Sequence, residues 1–588
     1  MRSLFPLRLL STMCIAGVAL SLGASPLLAA NYTWKTLSGT GNWTNSVNWS
    51  GTSATNLYPG SVGSGTTDGA FIQAAYTSAP TINLDASVTV RQLNLGGTTG
   101  ATTFPVTVST NNGSTVTFSS TTVTGSAIMA VNSAVSSGTN VLAPDLLLAA
   151  QTLQINMNSV TSGVVNLLVT GNVAAGDAGR RIFRYTPNSG ATTTSPSFLE
   201  VRGNITDGTT SGTMSIFYRN DMPNSQNTLR LTGTGNTFSG GITFTGGKPG
   251  STLEASPVSG TNGVLGTGLV TLGSSGSNAT LNMGGSLATV TETALISVSG
   301  TGGARRIAVT GAGHRIMTGT LGVAVGVTLA CESSGNLTFT NTIQNTGPVT
   351  INSTGSGKVT LSGPASTYSG ATTVQAGGLQ LGAGTPAGTS TITPLAGGTL
   401  SLSPYAITTV GGLAPNAGGL TDVGSGKVTV SAGLSAADMV TALVTGRGDG
   451  SWTGTSGIAS STAAASGGNR TVGWLDNGDG SVAFAFAAAG DTNLDWQIDV
   501  LDVAAFLGAG KFNSDDPGTW SQGDFNYDGV VNVLDAASFI TTGLYDQGVY
   551  NPPPVALGAV AAVPEPTCFA AAASLAAAFV LRRCLRFA

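Results

Sequence analysis

From residue 31 to about 488, runs of five to eight residues alternate apolar with hydroxyl-bearing side chains. Lys358-Val359-Thr360-Leu361-Ser362 and Gly268-Leu269-Val270-Thr271-Leu272 are examples, and such runs are bounded by Gly, Asn or Pro. A period of two sends every second side chain to one face, which predicts short strands joined by tight turns. High Gly and Ser with little charge also suits a flexible linker, but sustained β-branched alternation argues for ordered strands. A helical stretch is expected only at Ala436–Val444. After residue 490 the spacing becomes helical, first with Val500, Leu501, Val503, Ala504, Phe506 and Leu507. Val533, Leu534, Ala536, Ala537, Phe539 and Ile540 repeat it. Two short helices are expected there, their apolar faces packed together about a pseudo-twofold axis.

The strand region repeats itself. Residues 229–244 align without gaps on 359–374, bringing Gly233, Phe238, Ser239 and Gly240 onto Gly363, Tyr368, Ser369 and Gly370. A Gly-Gly-Leu-Gln-Leu-Gly run follows at 377–382. The wording Thr-Phe/Tyr-Ser-Gly followed by a strand resembles the autotransporter-associated β-strand repeat, with copies near 227–247 and 357–382. The resemblance implies a mainly β fold, a right-handed parallel β-helix (solenoid) with glycines at the corners and Val, Leu and Ile stacked inside. Coils of roughly 20–25 residues are expected, and both ends of such a stack need covering. Trp34, Trp43 and Trp49 are expected to cover the first coil, and the segment of about 430–488 the last. No translocator barrel is expected after the repeats, so the likeness is read as passenger architecture alone.

Charge is concentrated in one place. The chain has 22 Lys and Arg against 26 Asp and Glu, a net −4. Between 491 and 546 there are ten Asp and one basic residue, Lys511, so that window carries −9. Asp491, Asn493, Asp495, Asp499 and Asp502 recur 33 residues later as Asp524, Asn526, Asp528, Asn532 and Asp535. These are positions 1, 3, 5, 9 and 12 of a calcium loop, in which position 7, Gln497 or Val530, supplies a main-chain carbonyl. Clustered carboxylates repel one another without a cation, so metal binding and folding are expected to be linked. Two calcium sites follow. The first is expected to be the weaker, because position 6, which favours glycine, is Gly529 in the second loop and Trp496 in the first.

Duplicated loop-plus-helix units of this kind resemble the dockerin domain. That resemblance implies a small α-helical EF-loop domain over 489–548, two calcium ions and, in cellulosomal members, a cohesin-like partner. Val500–Leu501 and Val533–Leu534 stand where the family reads its partner; packing onto this chain's own preceding domain is the alternative.

The ends supply an address. Arg2 and Arg8, an apolar Leu9–Leu20 and small residues at Ala29–Ala30 read as a signal peptide over 1–30. A linker is expected at 549–562. Val563-Pro564-Glu565-Pro566, the apolar run Cys568–Leu581 and the basic Arg582, Arg583 and Arg586 follow. Fourteen helical residues reach about 21 Å, short of a bilayer core of roughly 30 Å. The order resembles a PEP-CTERM sorting signal over 563–588. This implies transient inner-membrane contact through the C-terminal helix, processing by an exosortase-type enzyme, and delivery to the cell surface or extracellular matrix.

Catalytic constellations are sparse. The single histidine, His314, reads as a turn residue, and Cys331 is the one cysteine between the two terminal segments, which excludes an intramolecular disulfide there. Asp177 with Arg180, Arg181 and Arg184 reads as a charged strand edge. No basic stripe points to nucleic acid. The expectation is a secreted, non-enzymatic structural or adhesion protein. The alternatives are a dockerin-bearing β-helix that binds or degrades polysaccharide, and a cohesin-docking assembly component.

Overall fold

The computed structural model describes residues 30–553 apart from 52–57, 62–67, 97–103, 123, 133–137, 159–164, 188–196, 210, 221–226, 248–250, 261, 274–277 and 286–287. The expected signal peptide (up to Ala29), the linker beyond residue 553 and the sorting segment with Val563, Pro564, Glu565, Pro566, Arg582 and Arg583 lie outside the described residues. Within them, no helix is long and apolar enough to cross a membrane. The chain forms two compact units, Met1–Ser215 and Ile216–Ala588, and the acidic segment belongs to the second.

The first unit is a stack of parallel coils. Strands Asn31–Trp34, Gly69–Ile72, Gln92–Leu95, Ser126–Asn132, Thr152–Asn158 and Gly179–Pro187 form one face, pairing Tyr32 with Ala70, Ala70 with Leu93, Leu93 with Met129, Met129 with Ile155 and Ile155 with Tyr185. A second face runs through Thr107–Ser109, Thr139–Leu142, Val165–Val169 and Ser197–Val201. A third runs through Thr115–Phe118, Asp145–Leu148 and Val173–Ala175. The chain visits each face once per turn, which defines a parallel β-helix. Alternation does the rest: Leu93, Met129, Ile155 and Tyr185 are all fully buried in one inward column, each worth roughly 1.5–3 kcal/mol of apolar burial. In the first coil, Trp34, Trp43 and Trp49 are buried together, with edge-to-face ring centroids 4.9 and 5.0 Å apart.

The second unit has the same construction. One column runs Val290, Arg315, Leu337, Val359, Leu379, Leu400, Thr421 and Ile458 through consecutive parallel strands. Coil length matches the expected 20–25 residues where Ile307 pairs with Leu329, Leu329 with Ile351 and Ile351 with Val374. Earlier coils are longer, as Leu253 beside Leu281 and Leu93 beside Met129 show. Added chain length between strands costs little.

On another face, parallel pairing ends at Lys427–Val430. This strand pairs in parallel with Ile407–Val410 but antiparallel with Val482–Ala487, which in turn pairs antiparallel with Thr471–Asp476. A hairpin cannot continue a parallel coil, so it blunts the open edge. Helix α1 (Ala436–Arg447) extends three residues beyond its expected end, capped by Ser435 at one terminus and by Gly448 at φ 57° at the other. Helix α2 (Ser461–Ala465) follows. Helices α3 (Val500–Gly508) and α4 (Val533–Thr541) belong to the acidic segment.

Candidate metal centre

The two acidic loops share one main-chain hydrogen-bond pattern. Position 3 accepts the amide of position 5: Asn493 Oδ1 from Asp495 N at 2.9 Å, Asn526 Oδ1 from Asp528 N at 2.8 Å. Position 5 accepts the amide of position 7: Asp495 Oδ1 from Gln497 N at 2.8 Å, Asp528 Oδ1 from Val530 N at 3.0 Å. Position 9 caps the following helix: Asp499 accepts from Leu501 N and Asn532 from Leu534 N, both at 2.7 Å. Position 12 ties the loop shut. Asp502 accepts from Thr492 N at 2.8 Å and Asp499 N at 2.9 Å; Asp535 accepts from Phe525 N at 2.8 Å and Asn532 N at 3.0 Å. The carbonyls of Ile498 and Val531 accept from Asp546 N and Asn513 N, each at 2.8 Å, so the 33-residue period outlasts the loops. Position 6 is left-handed in both, at φ 69° for Trp496 and 88° for Gly529, and so is position 4, at 58° for Leu494 and 64° for Tyr527. The tryptophan therefore accepts the conformation glycine adopts more cheaply.

Position 1 carries the clearest sign of a missing partner. Asp491 Oδ2 accepts from Trp496 N at 3.0 Å and Asp524 Oδ2 from Gly529 N at 3.1 Å. The other oxygen, Oδ1, is buried without a hydrogen-bond partner in both loops. An unpaired buried carboxylate oxygen is costly, and a coordinated cation removes that cost. The electrostatics agree: burial pushes the Asp491 carboxyl up to about 7, with Asp502 and Asp495 adding to the rise. Burial likewise pushes Asp524 up to about 6, with Asp535 and Asp528 contributing, and raises Asp535. Among the described residues no three His, Cys, Asp or Glu side chains converge enough to hold a metal by themselves. The donor set instead mixes carboxylates with Asn493, Asn526, Asn532 and main-chain carbonyls, an all-oxygen chemistry that fits calcium.

The first loop is fastened to the closing sheet. Trp496 Nε1 donates to Phe486 O at 2.9 Å, Lys427 Nζ to Leu494 O at 3.0 Å, and Tyr550 OH to Asp491 Oδ2 at 2.6 Å. Burial lowers the Lys427 pKa while Asp491 and Asp495 oppose that fall. Trp520, fully buried, donates from Nε1 to Asp491 O at 2.7 Å and packs against Phe525, with ring centroids 5.1 Å apart. Tyr527 OH donates to Val472 O. Tyr550, Lys427 and Trp520 were not legible as site residues. Two of them lie outside the loops, and Trp520 sits between them with no spacing that assigns it a role.

The expected face-to-face packing of the two helices needs correction. Val500, Leu501 and Leu507 on α3, and Val533, Leu534 and Ile540 on α4, are 60–73 % exposed. The segment's core is instead built from Leu494, Ile498, Trp520, Phe525 and Val531. The indole of Trp520, between the loops, and the ring of Phe525, within the second loop, fill much of the space that the helices were expected to fill, with Phe506 of α3 stacked on Phe525 at 6.2 Å.

Other candidates have structural tasks. Glu292 is buried, its oxygens accepting from Val264 N at 3.0 Å and Leu265 N at 3.2 Å, and burial pushes its carboxyl up to about 7. His314 opens a strand rather than occupying a turn, with Nε2 2.7 Å from Thr338 Oγ1. Cys331 is buried and its thiol is pushed up to about 11. Arg181 is buried and ion-paired to Asp177, so that cluster is not simply a solvated edge.

The two sequence copies share one local structure. Phe238 and Tyr368 are fully buried. Their carbonyls accept from Thr267 N at 3.0 Å and Thr389 N at 2.8 Å, beside Gly266 and Gly388 at φ 74° and 55°. No curated protein and no solved structure matches the chain. A family model does: residues 226–248 and 354–381 are similar to the passenger-associated-transport-repeat, as found in autotransporter-type passengers of secreted or surface proteins.

Proposed function

We propose that this protein is a secreted, non-enzymatic scaffold of the cell surface or extracellular matrix, with a β-helical body and a calcium-loaded, dockerin-like pair of loops fastened to its closing sheet. The observation that carries the calcium reading is the partnerless buried Oδ1 of Asp491 and of Asp524, at position 1 of two loops that share their main-chain hydrogen-bond pattern. Loop one offers Asp491, Asn493, Asp495, Gln497, Asp499 and Asp502, and loop two Asp524, Asn526, Asp528, Val530, Asn532 and Asp535. The scaffold reading draws on the passenger-type repeats and on the structural tasks of Glu292, His314 and Cys331.

Export in this reading uses residues 1–30, and sorting uses 563–588 through an exosortase-type enzyme. Fractionation of cells expressing the full chain tests it. The intact protein is expected at the surface or in the matrix, and replacement of Val563–Pro566 by alanine is expected to hold it in the inner-membrane fraction. A cytosolic product contradicts the proposal. A second reading, docking to a cohesin-like partner, draws support from the solvent-facing Val500–Leu501 and Val533–Leu534.

A further inference from the structure

A cavity of about 170 Å³ lies where α1, the strand beginning at Thr471 and α4 meet, lined in part by Arg447, Trp452, Asn469, Arg470, Asn526 and Thr541. Among the described residues, its charged lining is the two arginines. Among the described residues neither forms an ion pair with a carboxylate. Arg470 donates to Asn469 O at 2.7 Å and lies over the Tyr550 ring, 5.5 Å from its centroid. A guanidinium has five N–H donors, so most of this donor capacity is unspent.

The α4 wall has the opposite character. Ser538, Thr541 and Thr542 donate their hydroxyl protons to the carbonyls of Leu534, Ser538 and Phe539, at 2.9, 3.0 and 2.7 Å. Lone pairs on these oxygens remain as acceptors, one of those on Thr542 being taken by Leu544 N at 3.4 Å. One side of the cavity thus calls for an oxyanion and the other for hydroxyl donors. A sugar carrying a carboxylate has both. An adjoining cavity of about 560 Å³ shares Asn469, Arg470 and Thr542 and continues to Thr462 and Phe486, leaving room for further units of a chain. Trp452, buried at φ 59°, is held in a sparsely populated conformation beside Tyr527, with ring centroids 6.0 Å apart, and this fixes its indole at the lining.

We propose that this cavity binds a uronate unit of an acidic polysaccharide, with Arg447 and Arg470 holding the carboxylate and the α4 hydroxyls accepting from the ring hydroxyls. The site depends on the acidic segment being seated against the closing sheet, and one lining residue, Asn526, belongs to the second calcium loop.

The test is calorimetric titration of the full chain, at fixed excess calcium, with D-glucuronate, trigalacturonate, glucose and sulfate. Glucuronate, with about a dozen heavy atoms, is expected to saturate in roughly the millimolar range, and the trimer to bind about tenfold tighter. Glucose is expected not to bind, and sulfate to bind at least about tenfold more weakly than glucuronate. Arg447→Gln and Arg470→Gln should each weaken glucuronate about tenfold while thermal unfolding stays unchanged. Thr541→Val, on an exposed helical position, should weaken glucuronate but leave sulfate unaltered. No saturable glucuronate binding to a cooperatively folded chain overturns the proposal, as do variants without effect or sulfate binding as tightly as glucuronate. A trimer no tighter than the monomer overturns the polymer assignment.

Discussion

Tyr550→Phe separates the two calcium loops by a single oxygen atom. The Tyr550 hydroxyl donates to Asp491 Oδ2 at 2.6 Å and accepts from Ala488 N at 3.0 Å. Among the described residues the second loop has no counterpart to this side-chain bond, and Asp524 Oδ2 accepts from the Gly529 amide at 3.1 Å. Removing the hydroxyl deletes a charge-assisted hydrogen bond to the position-1 carboxylate and strands the Ala488 amide. For a half-buried donor this amounts to about 1–2 kcal/mol, or roughly a tenfold loss of calcium affinity at the first loop. Phenylalanine fills nearly the same volume, so packing is conserved. The assay is calcium titration calorimetry of the full chain with the two sites resolved, and Asp524→Ala serves to assign the second. The first site should weaken about tenfold and the second should not move. Equal weakening of both sites, or none of either, refutes the claim that Tyr550 acts through Asp491.

Three further outcomes are expected. A Cβ at Gly473 would lie 2.5 Å from Trp520 Cε2 and 2.6 Å from Leu494 Cδ2, so Gly473→Ala should cost about 1–3 kcal/mol in thermal unfolding. Asp491 and Asp524 have folded pKa values of about 7 and 6, above the ordinary 3.8. Their favourable contribution in chelator is therefore complete below about pH 4 and is lost as pH rises through 6 to 7. Melting temperature in chelator should fall over that window, and added calcium should abolish the fall. Phe238→Ala and Tyr368→Ala, at equivalent buried repeat positions, should each destabilise their coil by about 3–5 kcal/mol, read by scanning calorimetry of the full chain.

Much of this architecture was legible in side-chain alternation. Val359, Leu379 and Leu400 point inward because a period of two leaves them no other face, and the loop residues at positions 1, 3, 5, 9 and 12 were legible because their spacing is chemical. Arg315 shows where this reasoning stops. It occupies an inward column between Val290 and Leu337, its guanidinium reaching the carbonyls of Gly284 and Gly285. Polarity alone would have placed it outside. The helices show the same limit: Leu501 and Leu534 are apolar at helical spacing yet face solvent, because Trp520 and Phe525 arrive from outside the helices to fill the core. Attachment of the first loop through Lys427 and Tyr550 spans 67 and 59 residues of sequence, a separation at which no local pattern signals contact.

The most direct measurement is calcium binding to the chelator-stripped full chain by titration calorimetry. Two bound ions per chain are expected, falling to one in Asp524→Ala and to none when Asp491→Ala is added. A stoichiometry of zero in the unaltered protein, with the fold intact, contradicts the account at its centre.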